Sequence, residues 1–139
     1  MLTKALFLTK KNNKSTDEPS AVINLLDQKL WNPNPDFFSY TLSKSALKEA
    51  TQIMARSFAP HLRVLAIAPG ITLPIKNQTE DDFNNAHLKT PLNKSSTAYD
   101  IADAVVWLSK ANAITGTTLI IDGGQHLVPS PRDVVFMKS

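Results

Sequence analysis

No cysteine occurs in the chain, which excludes disulfides, thiolate nucleophiles and thiolate-bound metals. Histidine is almost as scarce, and His61, His87 and His126 are scattered with no pair at ligand spacing, so no metal site is expected. No apolar run approaches the roughly 20 residues of a membrane-spanning helix, and Ala5 to Leu8 is shorter than the signal-peptide core of about 7 residues or more. A cytoplasmic protein that meets no membrane is the expectation. Gly-x-Ser-x-Gly, the elbow of many serine hydrolases, is absent. Glycine itself is rare: there are four, none before Gly70, so the first half has no Gly-rich turn to let the backbone approach a phosphate. Lys4, Lys10, Lys11 and Lys14 form the one basic cluster, followed by Asp17 and Glu18. It lacks the repeated aromatics that stack on bases and reads as a solvated segment, so no nucleic-acid partner is expected.

What is present is enough for one domain with a core: 139 residues, of which 42% are hydrophobic. The chemistry concentrates between Asp27 and Lys44. Tyr40 and Lys44 lie four apart, so on a helix they share one face with Cβ atoms about 6 Å apart. A free tyrosine has a pKa of about 10 and a nearby ammonium favours its phenolate, so the pair predicts a Tyr40 pKa below the ordinary value. The same spacing also arises on helices whose tyrosine edges the core and whose lysine is solvated, so the pair alone does not define a site.

Alternating strands and helices are legible around this stretch. Leu2 to Thr9 has the apolar spacing of one or two helical turns, and Lys10 to Ser20 is polar and irregular. Ala21 to Leu26 is apolar apart from Asn24, which predicts a strand covered on both faces in a parallel sheet. Asn32-Pro33-Asn34-Pro35 forbids a continuing element, and Asp36 or Ser39 is placed to cap the next helix. That helix carries Leu42, Ala46, Leu47, Ala50, Ile53, Met54 and Phe58 at helical spacing, a core or subunit-interface stripe, with Pro60 beyond its end. Arg63 to Ala68 predicts a second strand, stopped at Pro69-Gly70. Thr79-Glu-Asp-Asp82 and Thr97-Ala-Tyr-Asp100 are capping boxes opening helices to about Leu88 and Lys110. The acidic run Glu80 to Asp82 suits the first turn of its helix, where the dipole favours negative charge. Thr117 to Ile121 predicts a third strand, ended by Asp122-Gly123-Gly124, and Pro129 and Pro131 mark an extended tail. The fold class is α/β, with the site beyond the carboxyl ends of the strands.

In order and spacing, the Ala21–Leu26 strand with Asp27, the Tyr40/Lys44 pair, Pro69-Gly70 and Asp122-Gly123-Gly124 resemble the C-terminal half of a short-chain dehydrogenase/reductase, from about Leu2 to His126. The residue thirteen before the tyrosine is usually serine in that family, and Asp27 resembles the pteridine-reductase-like branch. The resemblance implies the C-terminal part of a Rossmann-like doubly wound parallel sheet, as a single truncated domain over residues 1–139 with about three strands. It implies an NADP-dependent oxidoreductase in which Tyr40 donates a proton, Lys44 lowers the tyrosine's pKa and holds the nicotinamide ribose, and Asp27 orients or relays the proton. Pro69, Gly70, Ile71 and Thr72 would line the nicotinamide, and the substrate would be a carbonyl compound or a pterin, including dihydrofolate.

The family also places an asparagine on the helix before the first strand, about where Met1 falls, so that position is empty here. With the Gly-rich turn absent as well, the resemblance implies that the nucleotide-binding half is missing, through an internal start or a split reading frame. Two arrangements follow: a homo-oligomer, built on the Phe37 to Phe58 helix that resembles the family's dimer helix, or pairing with a separate N-terminal fragment. The alternative from another class is a non-catalytic remnant serving as an oligomerisation or complementation module.

Overall fold

The computed structural model describes residues 2–12, 20–76 and 78–137. Met1 and most of the irregular stretch between Lys10 and Ser20 fall outside them. Three strands, β1 (Ser20–Leu25), β2 (Leu62–Pro69) and β3 (Thr118–Ile121), form a parallel sheet in the order β1-β2-β3. Ile23 lies beside Leu65 in one ladder, and Ile67 beside Leu119 in the other. Helix α1 (Leu2–Asn12) precedes β1, α2 (Phe38–Phe58) joins β1 to β2, and α3 (Glu80–Leu88) and α4 (Ala98–Lys110) lie between β2 and β3. The α/β class and the parallel sheet are as the sequence pattern predicts. Among the described residues no helix is long and apolar enough to cross a membrane.

Helices cover both faces of the sheet, and the central strand shows why its sequence is apolar throughout. Successive side chains of a strand point to opposite faces. Leu62 and Val64 pack with Met54 and Ala55 of α2 and with Phe7 of α1. Ala66 and Ala68 face the same way, against Leu47 and Trp31. On the other face, Leu65 and Ile67 meet Leu108, Ile101 and Val105 of α4. Every residue of β2 from Leu62 to Ala68 is buried, whereas β1 is only half-buried and its Leu25 is 52% exposed. β1 does pack on both faces, Val22 on the α2 side and Ala21 and Ile23 on the α4 side, but each of these side chains is only partly buried. β1 pairs with β2 alone among the described residues, so it stands at an edge of this sheet.

The inner stripe of α2 is Leu47, Ala50, Met54 and Phe58, with Phe58 stacked on Phe7 at 4.6 Å between ring centroids. Leu42 and Ile53, also in the predicted stripe, face outward at 54% and 65% exposure. The helix start differs from the predicted caps. Phe37, with φ 55°, is the N-cap, and Asp36 instead accepts hydrogen bonds from Arg132 Nε and the Asp133 amide. Both predicted capping helices form: Thr79 accepts from the Asp82 amide, and Thr97 and Asp100 exchange both bonds of the box. Arg63 is buried at the start of β2, where its guanidinium donates to the carbonyls of Leu108, Ser109, Ala111 and Ile114. It thereby adds a donor to carbonyl groups at the C-terminal end of α4 and in the loop after it, of which those of Leu108 and Ala111 also accept a backbone amide.

The C-terminal segment corrects another expectation. It is not simply extended: it forms two single 3₁₀ turns, Gln125–Leu127 and Val134–Phe136, and returns to the start of α2. Lys29 Nζ pairs with Asp133 at 3.0 Å, Arg132 pairs with Asp36 at 2.8 Å, and Phe37 stacks on Phe136.

Candidate active site

The end of β1 delivers Asp27. Leu26 is buried beside Ala66 and Ala68, which holds the backbone down, and the chain then turns through Gln28–Leu30 with Asp27 as its N-cap. Asp27 Oδ1 accepts from the Lys29 amide at 2.8 Å, leaving Oδ2 to accept the phenol of Tyr40, also at 2.8 Å. Tyr40 sits in the first turn of α2. One turn on, Lys44 donates from Nζ to the Leu25 carbonyl at 2.7 Å, and the same ammonium lies 5.6 Å from the centre of the Tyr40 ring. The ammonium thus ties α2 to the end of β1 while lying over the tyrosine face.

The predicted consequence for Tyr40 is reversed. Its pKa is raised, first by burial, then by the hydrogen bond to Asp27, and further by the negative charges of Asp27 and Asp133. A carboxylate 2.8 Å away penalises the phenolate, and it outweighs an ammonium that the Leu25 carbonyl also engages. At neutral pH Tyr40 keeps its proton.

At the end of β2, the Gly70 amide donates to the Ile121 carbonyl, continuing the ladder with β3. A side chain on Gly70 would collide with Ser95 Oγ and come within 2.7 Å of both Asp122 Cβ and Gln125 Oε1. Close packing of the protein itself therefore demands the glycine. Ile71 donates its amide to Gln125 Oε1 at 3.2 Å, and the Thr72 hydroxyl bonds the Gly70 carbonyl and Ser96 Oγ. The Asp122-Gly123-Gly124 turn supports this arrangement from below. Asp122, 4% exposed, accepts from the Gly124 amide, the His126 amide and His126 Nδ1, while both glycines take positive φ. The turn brings Gln125 to the loop after β2.

Asp27, Tyr40, Lys44 and all four residues from Pro69 to Thr72 line one cavity of about 510 Å³, so the structure brings every site residue predicted from sequence to one place. The volume is within the ordinary range for a small-molecule site. Gln28, Gln125, Asp133 and Val134 are among the further lining residues that were not legible as such. Gln28 offers one signal, standing next to Asp27, whereas Asp133 reaches the site across a sequence separation of 104 from its partner Lys29. His87 lies outside this wall. Its Nδ1 accepts from the Ser95 amide, its ring packs edge-on to Phe83, and burial and the Lys94 charge lower its pKa.

Residues 3–126 match a family model described as Enoyl-(Acyl carrier protein) reductase, a match covering most of the chain and all of the cavity's motifs. The chain belongs to the short-chain dehydrogenase/reductase family. Among short-chain dehydrogenase/reductase relatives, the uncharacterized oxidoreductase YohF of Escherichia coli strain K12 is 37% identical over 108 residues, covering 74% of this chain and 43% of YohF. Dihydromonapterin reductase of Citrobacter koseri is 29% identical over 106 residues, covering 76% of this chain and 44% of the reductase. The crystal structure of FolM alternative dihydrofolate reductase 1 from Brucella canis, complexed with NADP, superposes with a TM-score of 0.78 and 41% identity, over 87% of this chain and 48% of FolM. The chain thus resembles the pteridine- and folate-reducing members and spans about half their length.

Proposed function

We propose that this chain carries the proton-donating, nicotinamide-side half of an NADP-dependent reductase acting on a pterin-like ring, dihydrofolate included. The observation that carries the reading is Tyr40 held by Asp27 at 2.8 Å, with Lys44 over its ring, on the wall of a 510 Å³ cavity. A phenol that keeps its proton at neutral pH is in the protonation state that a proton donor requires. Rotation about the phenol C–O bond redirects that proton from Asp27 to a substrate atom in the cavity, and the Asp27 carboxylate holds the ring in position for it. The names of the relatives, dihydromonapterin reductase and alternative dihydrofolate reductase, support the substrate class.

NADP fits the residues present on one side only. Lys44 Nζ has a single hydrogen-bond acceptor among the described residues, so its remaining donors suit sugar hydroxyls, and the Tyr40 oxygen retains acceptor capacity. Tyr40, Lys44, Pro69 and Ile71 would hold the nicotinamide ribose and ring. When bound, reduced NADP supplies the hydride. No Gly-rich turn precedes Gly70, so the phosphates would be cradled by a second polypeptide or segment. The exposed edge of β1 is a suitable place for one to join the sheet. The outward α2 residues Phe38, Leu42 and Ile53, at 71%, 54% and 65% exposure, support self-association on that helix face.

Titration with NADPH, followed through Trp31 and Trp107 fluorescence, should show saturable binding, and NADPH oxidation with dihydropterin should disappear in Tyr40→Phe. Retained turnover in Tyr40→Phe overturns the proton-donor assignment. No saturable binding at millimolar NADPH overturns the view that this chain holds the nicotinamide side unaided. Sedimentation equilibrium of the wild type against Leu42→Asp/Ile53→Asp tests the helix face: a monomeric wild type removes the self-association reading.

A further inference from the structure

Ser96 is 1% exposed, and a hydroxyl that deep needs a hydrogen-bond partner. The residue stands just before the Thr97 capping box that opens α4. Its neighbour Ser95 is pinned twice, the amide on His87 Nδ1 at 3.1 Å and the hydroxyl on the Asp122 carbonyl at 3.3 Å. Ser96 is therefore held on both sides. Its own hydroxyl meets that of Thr72 at 2.7 Å, across 24 residues of sequence, and Thr72 belongs to the loop after β2 that lines the Tyr40 cavity.

A contact between two hydroxyls uses one proton, and the surroundings decide whose it is. A carbonyl oxygen only accepts, so the 2.9 Å contact between Thr72 Oγ1 and the Gly70 carbonyl takes the Thr72 proton. The proton between the two hydroxyls is then that of Ser96. Burial points the same way. Thr72 is the only hydrogen-bond partner of the Ser96 hydroxyl among the described residues, so the opposite arrangement strands a buried O–H. With its proton on Gly70 and one lone pair on Ser96, Thr72 Oγ1 keeps one lone pair for a ligand. Held this way, the hydroxyl accepts and does not donate.

We infer that Ser96 is a positioning residue for the cofactor: by donating to Thr72 it orders that hydroxyl as an acceptor, suited to an N–H of the nicotinamide carboxamide and not to its carbonyl oxygen. This rests on the reading that Pro69 to Thr72 line the nicotinamide. A carboxamide has a donor end and an acceptor end, so one ordered acceptor on the wall selects which way round the group lies. Ser96 itself is buried and does not line the cavity, so it acts through Thr72.

The test uses the whole chain and two cofactors, NADPH and its acetylpyridine analogue, whose ring bears a methyl ketone in place of the carboxamide and has no N–H to give. Titrations followed through Trp31 and Trp107 fluorescence should show NADPH binding about tenfold tighter than the analogue, the loss expected when one acceptor is left unpaired. In Ser96→Ala the Thr72 side chain keeps one anchor of two and no longer presents an ordered acceptor. NADPH should then fall to within about twofold of the analogue, whose own affinity should not change. Thr72→Val should abolish the preference, and adding Ser96→Ala to it should change nothing further. In the free chain, NMR should show a Ser96 hydroxyl proton protected from exchange, and Thr72→Val should remove that protection. If Ser96→Ala weakens both cofactors equally and the tenfold preference persists, Ser96 only supports the fold; the inference is overturned and the NADP reading stands. Equal wild-type affinities for the two cofactors, or no protected proton on Ser96, overturn it in the same way. No saturable binding of either cofactor at millimolar concentration overturns the NADP reading and the inference together.

Discussion

Tyr40 donates its phenol proton to Oδ2 of Asp27 at 2.8 Å, across thirteen residues of sequence and the whole loop between β1 and α2. With burial, this contact holds the tyrosine protonated beyond its usual range. The sign for stability follows: the folded pKa lies above the unfolded value of about 10, so the contribution is complete below that pH and fades as the pH rises further. The chain has two tyrosines, so a Tyr99→Phe background isolates Tyr40 for ultraviolet titration of the phenolate. Tyr40 should titrate above the free-tyrosine range, and adding Asp27→Asn should move its titration downward. A Tyr40 midpoint at or below that of free tyrosine rules the contact out as described.

Lys29 is 3% exposed, and its ammonium reaches Asn34 and Asp133 while facing the Phe37 ring. Removing Asp133 strands a buried charge, and Asp133→Ala should cost about 3 kcal/mol in urea unfolding. Adding Lys29→Met should restore much of the loss, because an apolar side chain of similar length needs no counter-ion. If Asp133→Ala is as stable as the wild type, the tail is not anchored by this pair.

Gly70→Ala places a methyl group against Asp122 and Gln125, which have no room to retreat without disturbing the turn that Asp122 organises. Overpacking of this kind costs about 1–3 kcal/mol. A lower thermal midpoint, together with NMR shifts at Ile71 and Gln125, is the expected result. An unchanged melt would show that the loop yields freely.

Arg63 is the buried cation of β2; of its four carbonyl partners, those of Leu108 and Ala111 also accept from the Ala111 and Ile114 amides, whereas an apolar variant removes the guanidinium from those of Ser109 and Ile114 as well. Arg63→Met should destabilise by about 3 kcal/mol through unsatisfied carbonyls near the end of α4. Hydrogen exchange should show the loss concentrated at residues 108–114. Exchange that rises uniformly along the chain instead would deny Arg63 this local capping role.

Much of the fold was legible because the signals are local. Thr97 and Asp100 define a helix start within four residues, and a continuous apolar run such as Leu62 to Ala68 needs no more than burial on both faces to be a central strand. Asp27, Tyr40 and Lys44 were legible through the resemblance to the family, with strand end and helix face placing them near one another. The start of α2 shows the limit. Asp36 and Ser39 are good caps by type, yet Asp36 is taken by Arg132 and the Asp133 amide, partners 96 and 97 residues away.

The sequence by itself determined the α/β order, the family to which the chain belongs, and which residues stand at the carboxyl ends of its strands. The order follows from periodicity and capping along a few residues of chain, and the family from its resemblance in four motifs placed between Ala21 and Gly124. Only the tertiary structure decided the direction of the Tyr40 pKa, because that depends on the partial burial of a side chain still 42% exposed and on the two carboxylates, Asp27 and Asp133, brought near it. It also decided that the C-terminal segment forms a wall of the cavity. These are sums of contacts between distant segments, and no local pattern encodes them.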